Sequence, residues 1–107
     1  MALTFSLEKN GLLCEVSGDV DHHSAKLLRD EMDKALERYM PENLYIDLSG
    51  VSFMDSSGIG LVLGRYRNQA NRGGKTAVIV PEGRIRRILT MAAADKLVAL
   101  LGSKEEI

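Results

Sequence analysis

The chain opens with two apolar stretches whose spacing predicts strands rather than helices. Leu3, Phe5 and Leu7 alternate with polar residues, which is the period of a half-buried strand. Residues 9–11 (KNG) are typical of a turn, and residues 12–16 form a second apolar run. Together these features predict a β-hairpin at the start of the fold.

The pattern then changes to the spacing of an amphipathic helix, ended near Pro41. Its predicted inner face consists of Ala25, Leu28, Met32, Ala35, Leu36 and Tyr39. Residues 44–48 and 76–80 predict two buried strands. Between them lies a predicted helix whose inner face is Ile59, Val62, Leu63 and Tyr66, and residues 71–74 (NRGG) end it.

A third helix is predicted by Ile85, Ile88, Leu89 and Ala92, a last strand by residues 97–101, and a frayed tail from Gly102. Strands and helices therefore alternate from residue 12 onward. This order predicts one α/β domain over residues 1–107, with a mixed, mostly parallel sheet that starts with a hairpin and is packed with helices by right-handed crossovers.

Composition narrows the classes of function. The net charge of the 107 residues is −1 and no basic stripe is interleaved with aromatic residues, which argues against a nucleic-acid partner. Cys14 is the single cysteine, so an internal disulfide is excluded. No signal peptide and no apolar run near the roughly 20 residues of a membrane span is present. We expect a cytoplasmic protein with no membrane partner, and a monomer.

Three motifs that suggest a cofactor or a metal do not meet the requirements of such a site. Gly58, Gly60 and Gly64 miss the dinucleotide fingerprint by one position, and close packing of a helix on the sheet explains the last two better. Residues 73–76 (GGKT) precede a strand, whereas a P-loop precedes a helix. His22 and His23 are adjacent on a helix and lack further ligands, so they predict no metal site, and we expect no cofactor.

Residues 48–67 carry the most informative motif. A strand ends there, and Asp55, Ser56, Ser57 and Gly58 open a helix. A hydroxyl at a helix N-terminus is well placed to hold or receive a phosphate. One serine could instead be only an N-cap. Gly58 would keep bulk away from the hydroxyls, and the residues alone leave both interpretations open.

Two other functions would use the same helix start. A small serine hydrolase would need His22 or His23 as a base beside Ser56. The alternative interpretation is that Asp21 to Ser24 form a loop and cap for the first helix. A nucleotide-binding module would place phosphates at the same N-terminus.

Residues 52–60 (SFMDSSGIG), continued by residues 63–66 (LGRY), resemble the signature of the anti-sigma factor antagonists of the STAS domain family. Residues 18–25 (GDVDHHSA) resemble a second signature segment, and the Asp-His-His sequence favours the sporulation type. The resemblance spans nearly the whole chain and implies a regulator of transcription rather than an enzyme.

The resemblance implies a protein that binds its cognate anti-sigma factor, a nucleotide-binding serine kinase, and thereby frees the sigma factor. The kinase would phosphorylate Ser56, the first serine after the aspartate, and a serine phosphatase would reverse the modification. We expect the partner-binding surface to consist of Asp21, His22, Ser24, Met54, Asp55, Ser56, Ser57, Gly58 and Ile59.

Overall fold

A computed structural model describes residues 2–107. In these residues five strands form one sheet, and three α-helices pack with it. The strands are β1 (Ala2–Glu8), β2 (Gly11–Val20), β3 (Asn43–Met54), β4 (Lys75–Ile79) and β5 (Ala99–Leu101). The helices are α1 (His22–Tyr39), α2 (Ser56–Asn71) and α3 (Arg84–Met91), and Ala94–Lys96 and Lys104–Glu106 form 3₁₀ turns.

The strands follow one another across the sheet in chain order. β1 pairs antiparallel with β2, and every other pair is parallel. Since parallel crossovers are as a rule right-handed, consecutive strands laid side by side in one direction place their helices on the same face. Residues of all three helices accordingly share one core cluster with the sheet. The predicted α/β class, the hairpin and the mostly parallel sheet are confirmed.

The core lies between that face of the sheet and the helices. Alternate sheet positions contribute fully buried side chains such as Cys14, Ile46 and Val78, and the helices contribute Leu28, Met32, Leu36, Val62 and Leu89. Burial of its thiol raises the pKa of Cys14 to about 12, since the thiolate would lose its hydration. Cys14 is therefore an inert core residue.

The edge strand β1 differs from the prediction. Leu3 packs against the core, but Phe5 and Leu7 are exposed. They share a sheet face with the buried Cys14 and Leu12 opposite them, so the alternation itself was correctly interpreted. The helices cover β2 and the inner strands and leave the edge open.

β3 extends beyond the predicted segment 44–48. Two bulges hide this continuation in the sequence pattern. Its twelve residues face ten of β2, and the register shifts between Glu15 and Ser17 and between Gly18 and Asp19. The buried apolar positions of β3 are spaced by two from Leu44 to Leu48 and then by three, at Val51 and Met54. A strand with this spacing does not show a period of two.

The inner face of α2 is rotated from the predicted one. Val62 is buried as predicted, whereas Ile59, Leu63 and Tyr66 are only partly buried. The other buried positions are Gly58, Leu61, Arg65 and Gln69. Two long polar side chains thus occupy positions that a hydrophobic pattern assigns to solvent.

Arg65 joins α2 to α1. Its Nε lies 3.0 Å from Oδ1 of Asp33, in an orientation too poor for a hydrogen bond, so the contact is an ion pair. Asp33 also accepts a hydrogen bond of 3.0 Å from Asn68. Desolvation lowers the pKa of Arg65, and the Asp33 carboxylate opposes that shift. One turn further toward the C-terminus of α2, Gln69 donates to the carbonyls of Pro41 and Lys75, both at 3.1 Å.

The C-terminal segment also differs from the prediction. β5 begins at Ala99 rather than Leu97, which is exposed. The predicted frayed tail instead forms a 3₁₀ turn in which Ser103 and Glu106 cap one another. Lys104 forms an ion pair of 3.0 Å with Glu15 of β2, which links this segment to the sheet.

Replacement of Asp33 by Ala should lower the free energy of unfolding by about 1–3 kcal/mol, because the buried Arg65 guanidinium loses its counter-charge. This is less than the full loss for a buried pair because Asp33 is part-exposed. Arg65→Met, which removes the charge and keeps the packing, should change it by less than about 1 kcal/mol. Urea denaturation measures both. Equal destabilisation by the two variants would contradict this account of the pair.

Candidate functional site

The carboxyl ends of β2 and β3 meet at one edge of the sheet, and a helix starts at each. Val20 pairs with Met54 as the last register position of the two strands. The amide of Asp55 then donates to the carbonyl of Val20 across 3.2 Å. α1 begins at His22 and α2 at Ser56, so the two helix N-termini lie side by side.

Asp21 caps α1. Its carboxylate accepts a 2.9 Å hydrogen bond from the amide of Ser24, and the Ser24 hydroxyl accepts one of 3.0 Å from the amide of Asp21. This reciprocal pair is a capping box. The hydrogen bond from the Ser24 amide lowers the pKa of Asp21, because it favours the ionised carboxylate. The cap therefore contributes stability above the pKa of the unfolded chain and loses it as the pH falls through the folded pKa.

Asp55 caps α2 with less help. Its Oδ1 accepts a 2.8 Å hydrogen bond from the amide of Ser57. The cap is thus the aspartate, and the interpretation of one serine as the N-cap is wrong. Ser56 is exposed at the first helical position and Ser57 is half-buried at the second. No hydrogen bond within residues 2–107 engages the Ser56 hydroxyl.

The apolar residues beside the serines are placed differently from the prediction. Met54, predicted to belong to the partner-binding surface, is instead buried in the core at 3 % exposure. Ile59 is partly buried against the core. Phe53, which is not among the predicted site residues, is 44 % exposed and lies two residues before Asp55 in the chain. Since strand neighbours point to opposite faces, the inward direction of Met54 requires the outward one of Phe53.

Packing explains why residue 58 is glycine, a reason that the sequence did not reveal. A Cβ at this position would lie 2.1 Å from Cγ of Met54, so the first turn of α2 sits directly on that side chain. By contrast, a Cβ at Gly60 or Gly64 would meet nothing within 4 Å. Close packing on the sheet, the reason predicted for these two glycines, is wrong.

The remaining predicted site residues lie on α1. His22 is exposed at its first position, and Ser24 is buried in the capping box. Neither His22 nor His23 forms a hydrogen bond with Ser56 in the described part of the chain, so the base that a hydrolase requires is missing from this geometry. Among residues 2–107 no three side chains of His, Cys, Asp or Glu converge on a metal position. None of the described helices is long and apolar enough to cross a membrane.

The model of the STAS domain family matches residues 6–106. The chain is 36 % identical over 89 residues to an anti-sigma F factor antagonist of Paenibacillus polymyxa, which covers 83 % of this chain and 76 % of the relative. The chain belongs to the STAS domain family. Within it, the chain is an anti-sigma factor antagonist, which is a regulator and not an enzyme.

Two solved structures of this family are similar to the STAS domain described above. One is the anti-sigma factor antagonist SpoIIAA in its unphosphorylated form, with a TM-score of 0.82, 25 % identity and coverage of 98 % of this chain and 91 % of that one. The other is the Bacillus cell fate determinant SpoIIAA in its phosphorylated form, with a TM-score of 0.75, 25 % identity and coverage of 98 % and 95 %.

In this STAS domain, the packed Gly58 and the uncrowded Gly64 of α2 should respond in opposite ways to substitution by alanine. Gly58→Ala should lower the free energy of unfolding by about 1 kcal/mol, since overpacking against Met54 costs about 1–3 kcal/mol and better helix propensity offsets part of it. Gly64→Ala should raise it by about 0.5–1 kcal/mol, because only the propensity changes. Thermal and urea unfolding of both variants measure the difference. Stabilisation by Gly58→Ala would show that Met54 moves away at no cost.

Proposed function

We propose that the unphosphorylated chain binds its cognate anti-sigma factor, itself a nucleotide-binding serine kinase, and so releases the sigma factor. Phosphorylation of Ser56 by that kinase ends the interaction, and a serine phosphatase restores it. The protein acts as a monomer in the cytoplasm. The observation that carries this proposal is the exposed Ser56 hydroxyl at the start of α2, unengaged because Asp55 caps the helix.

The helix start favours the modification without a change of fold. A phosphoserine adds about −1.5 to −2 charges. At the N-terminus of α2 these charges face the positive end of the helix dipole. The exposed position keeps the phosphate in water, so the free domain tolerates it.

The same position penalises the complex. Asp55 and Asp21 already place two carboxylates at the adjoining helix starts, and a docked partner would exclude water from them. A phosphate buried beside them meets like-charge repulsion and desolvation. A loss of about 1.4 kcal/mol weakens binding tenfold, so a few kcal/mol are enough to release the partner.

We expect incubation with the cognate kinase and ATP to add one phosphate to the wild-type chain and none to Ser56→Ala. Ser57→Ala is the matched control, because it removes the neighbouring hydroxyl from the same helix turn and keeps both Asp55 and Ser56. It should accept one phosphate, as intact-mass spectrometry would show. Phosphorylation of Ser56→Ala, or loss of phosphorylation in Ser57→Ala alone, would show that Ser56 is not the modified serine.

A further inference from the structure

A groove of about 620 Å³ runs between the first halves of α1 and α2 and begins at the serine site. Ser57 lines its head, and Gly60 lines its α2 side. A Cβ at Gly60 would meet nothing within 4 Å, so the groove exists because this wall lacks a side chain. Ala25 and Leu61, both buried, form its apolar floor.

The α1 side of this groove is basic. His22, Lys26 and Arg29 line it, all three are exposed, and no acidic residue is among the lining side chains. Asp30 lies beside it and contacts Arg29 at 3.3 Å, with the two side chains about half exposed. Exposed ion pairs of this kind contribute little to stability and exchange partners readily, so Arg29 remains available to another carboxylate.

The sign of the charge changes further along the same pair of helices. A second groove, of about 330 Å³, has Asp33 and Glu37 on its α1 side and Asn68 and Arg72 on its α2 side. The basic groove therefore does not continue along the whole α1–α2 seam. It is confined to the part that adjoins the serines, where the proposed kinase must dock to reach Ser56.

We propose that this basic groove receives an acidic segment of the anti-sigma factor. The inference rests on the proposed function and adds a second contact to it. Carboxylates of that segment would pair with Lys26 and Arg29, and an apolar side chain would lie over Ala25 and Leu61. Such rim charges steer docking and strengthen it at low salt.

Charge reversal tests the proposal. Lys26→Glu with Arg29→Glu should weaken binding of the purified cognate anti-sigma factor about tenfold at low salt, and the difference should shrink toward 1 M salt. Lys34→Glu with Arg38→Glu is the matched control, because it makes the same charge change at exposed positions of the same helix outside the groove. It should stay within about twofold of wild type. Calorimetry measures the affinities, and thermal unfolding verifies that the variants fold.

The shape of the groove offers an independent test. Gly60→Leu places a side chain in the groove and should also weaken binding about tenfold, whereas Gly64→Leu, one turn further and equally free of contacts, should not. Equal effects within either pair of variants, or no effect at all, would overturn the groove assignment and leave the proposed function standing. Failure of the wild-type chain to bind the anti-sigma factor would overturn both. Tight binding of ATP alone, abolished by Lys26→Glu with Arg29→Glu, would assign the groove to a nucleotide and overturn the acidic segment.

Discussion

The site depends on the parallel pairing of β2 with β3 as far as Val20 and Met54. The hydrogen bond from the amide of Asp55 to the carbonyl of Val20 extends this pairing by one further residue. It fixes the two chains at the point where each turns into a helix. The helix starts, their aspartate caps and the exposed serine are all placed relative to one another by that seam.

The N-terminal caps of α1 and α2 at this edge of the sheet use different groups. Asp21 and Ser24 close a reciprocal box, so the start of α1 is satisfied by its own residues. Asp55 accepts a hydrogen bond from the amide of Ser57 alone, and the Ser56 side chain takes no part in the cap. A serine that the fold does not need can be modified while the fold stays intact. The exposed Ser56 hydroxyl is therefore compatible with reversible regulation.

The sequence predicted the elements whose physical signals are local and periodic. The hairpin, the parallel strands and the buried face of α1 follow from spacing alone, except that Tyr39, predicted on that face, is 43 % exposed. The motif around Ser56 carried the family. The end of β3 was missed because two bulges change the spacing of its buried residues, so Met54 appeared exposed and Phe53 was overlooked. Arg65 was missed because its counter-charge, Asp33, lies on another helix, and no local pattern records such a pairing.

In the proposed switch, a phosphate on Ser56 releases the anti-sigma factor by charge and desolvation while the domain keeps its fold. Calorimetric titration of the anti-sigma factor with the chain, before and after stoichiometric phosphorylation, tests it most directly when backbone NMR spectra of both forms accompany it. We predict an affinity at least tenfold lower for the phosphorylated chain, with shift changes confined to the starts of α1 and α2. Equal affinities, or shift changes spread across the sheet, would contradict the account.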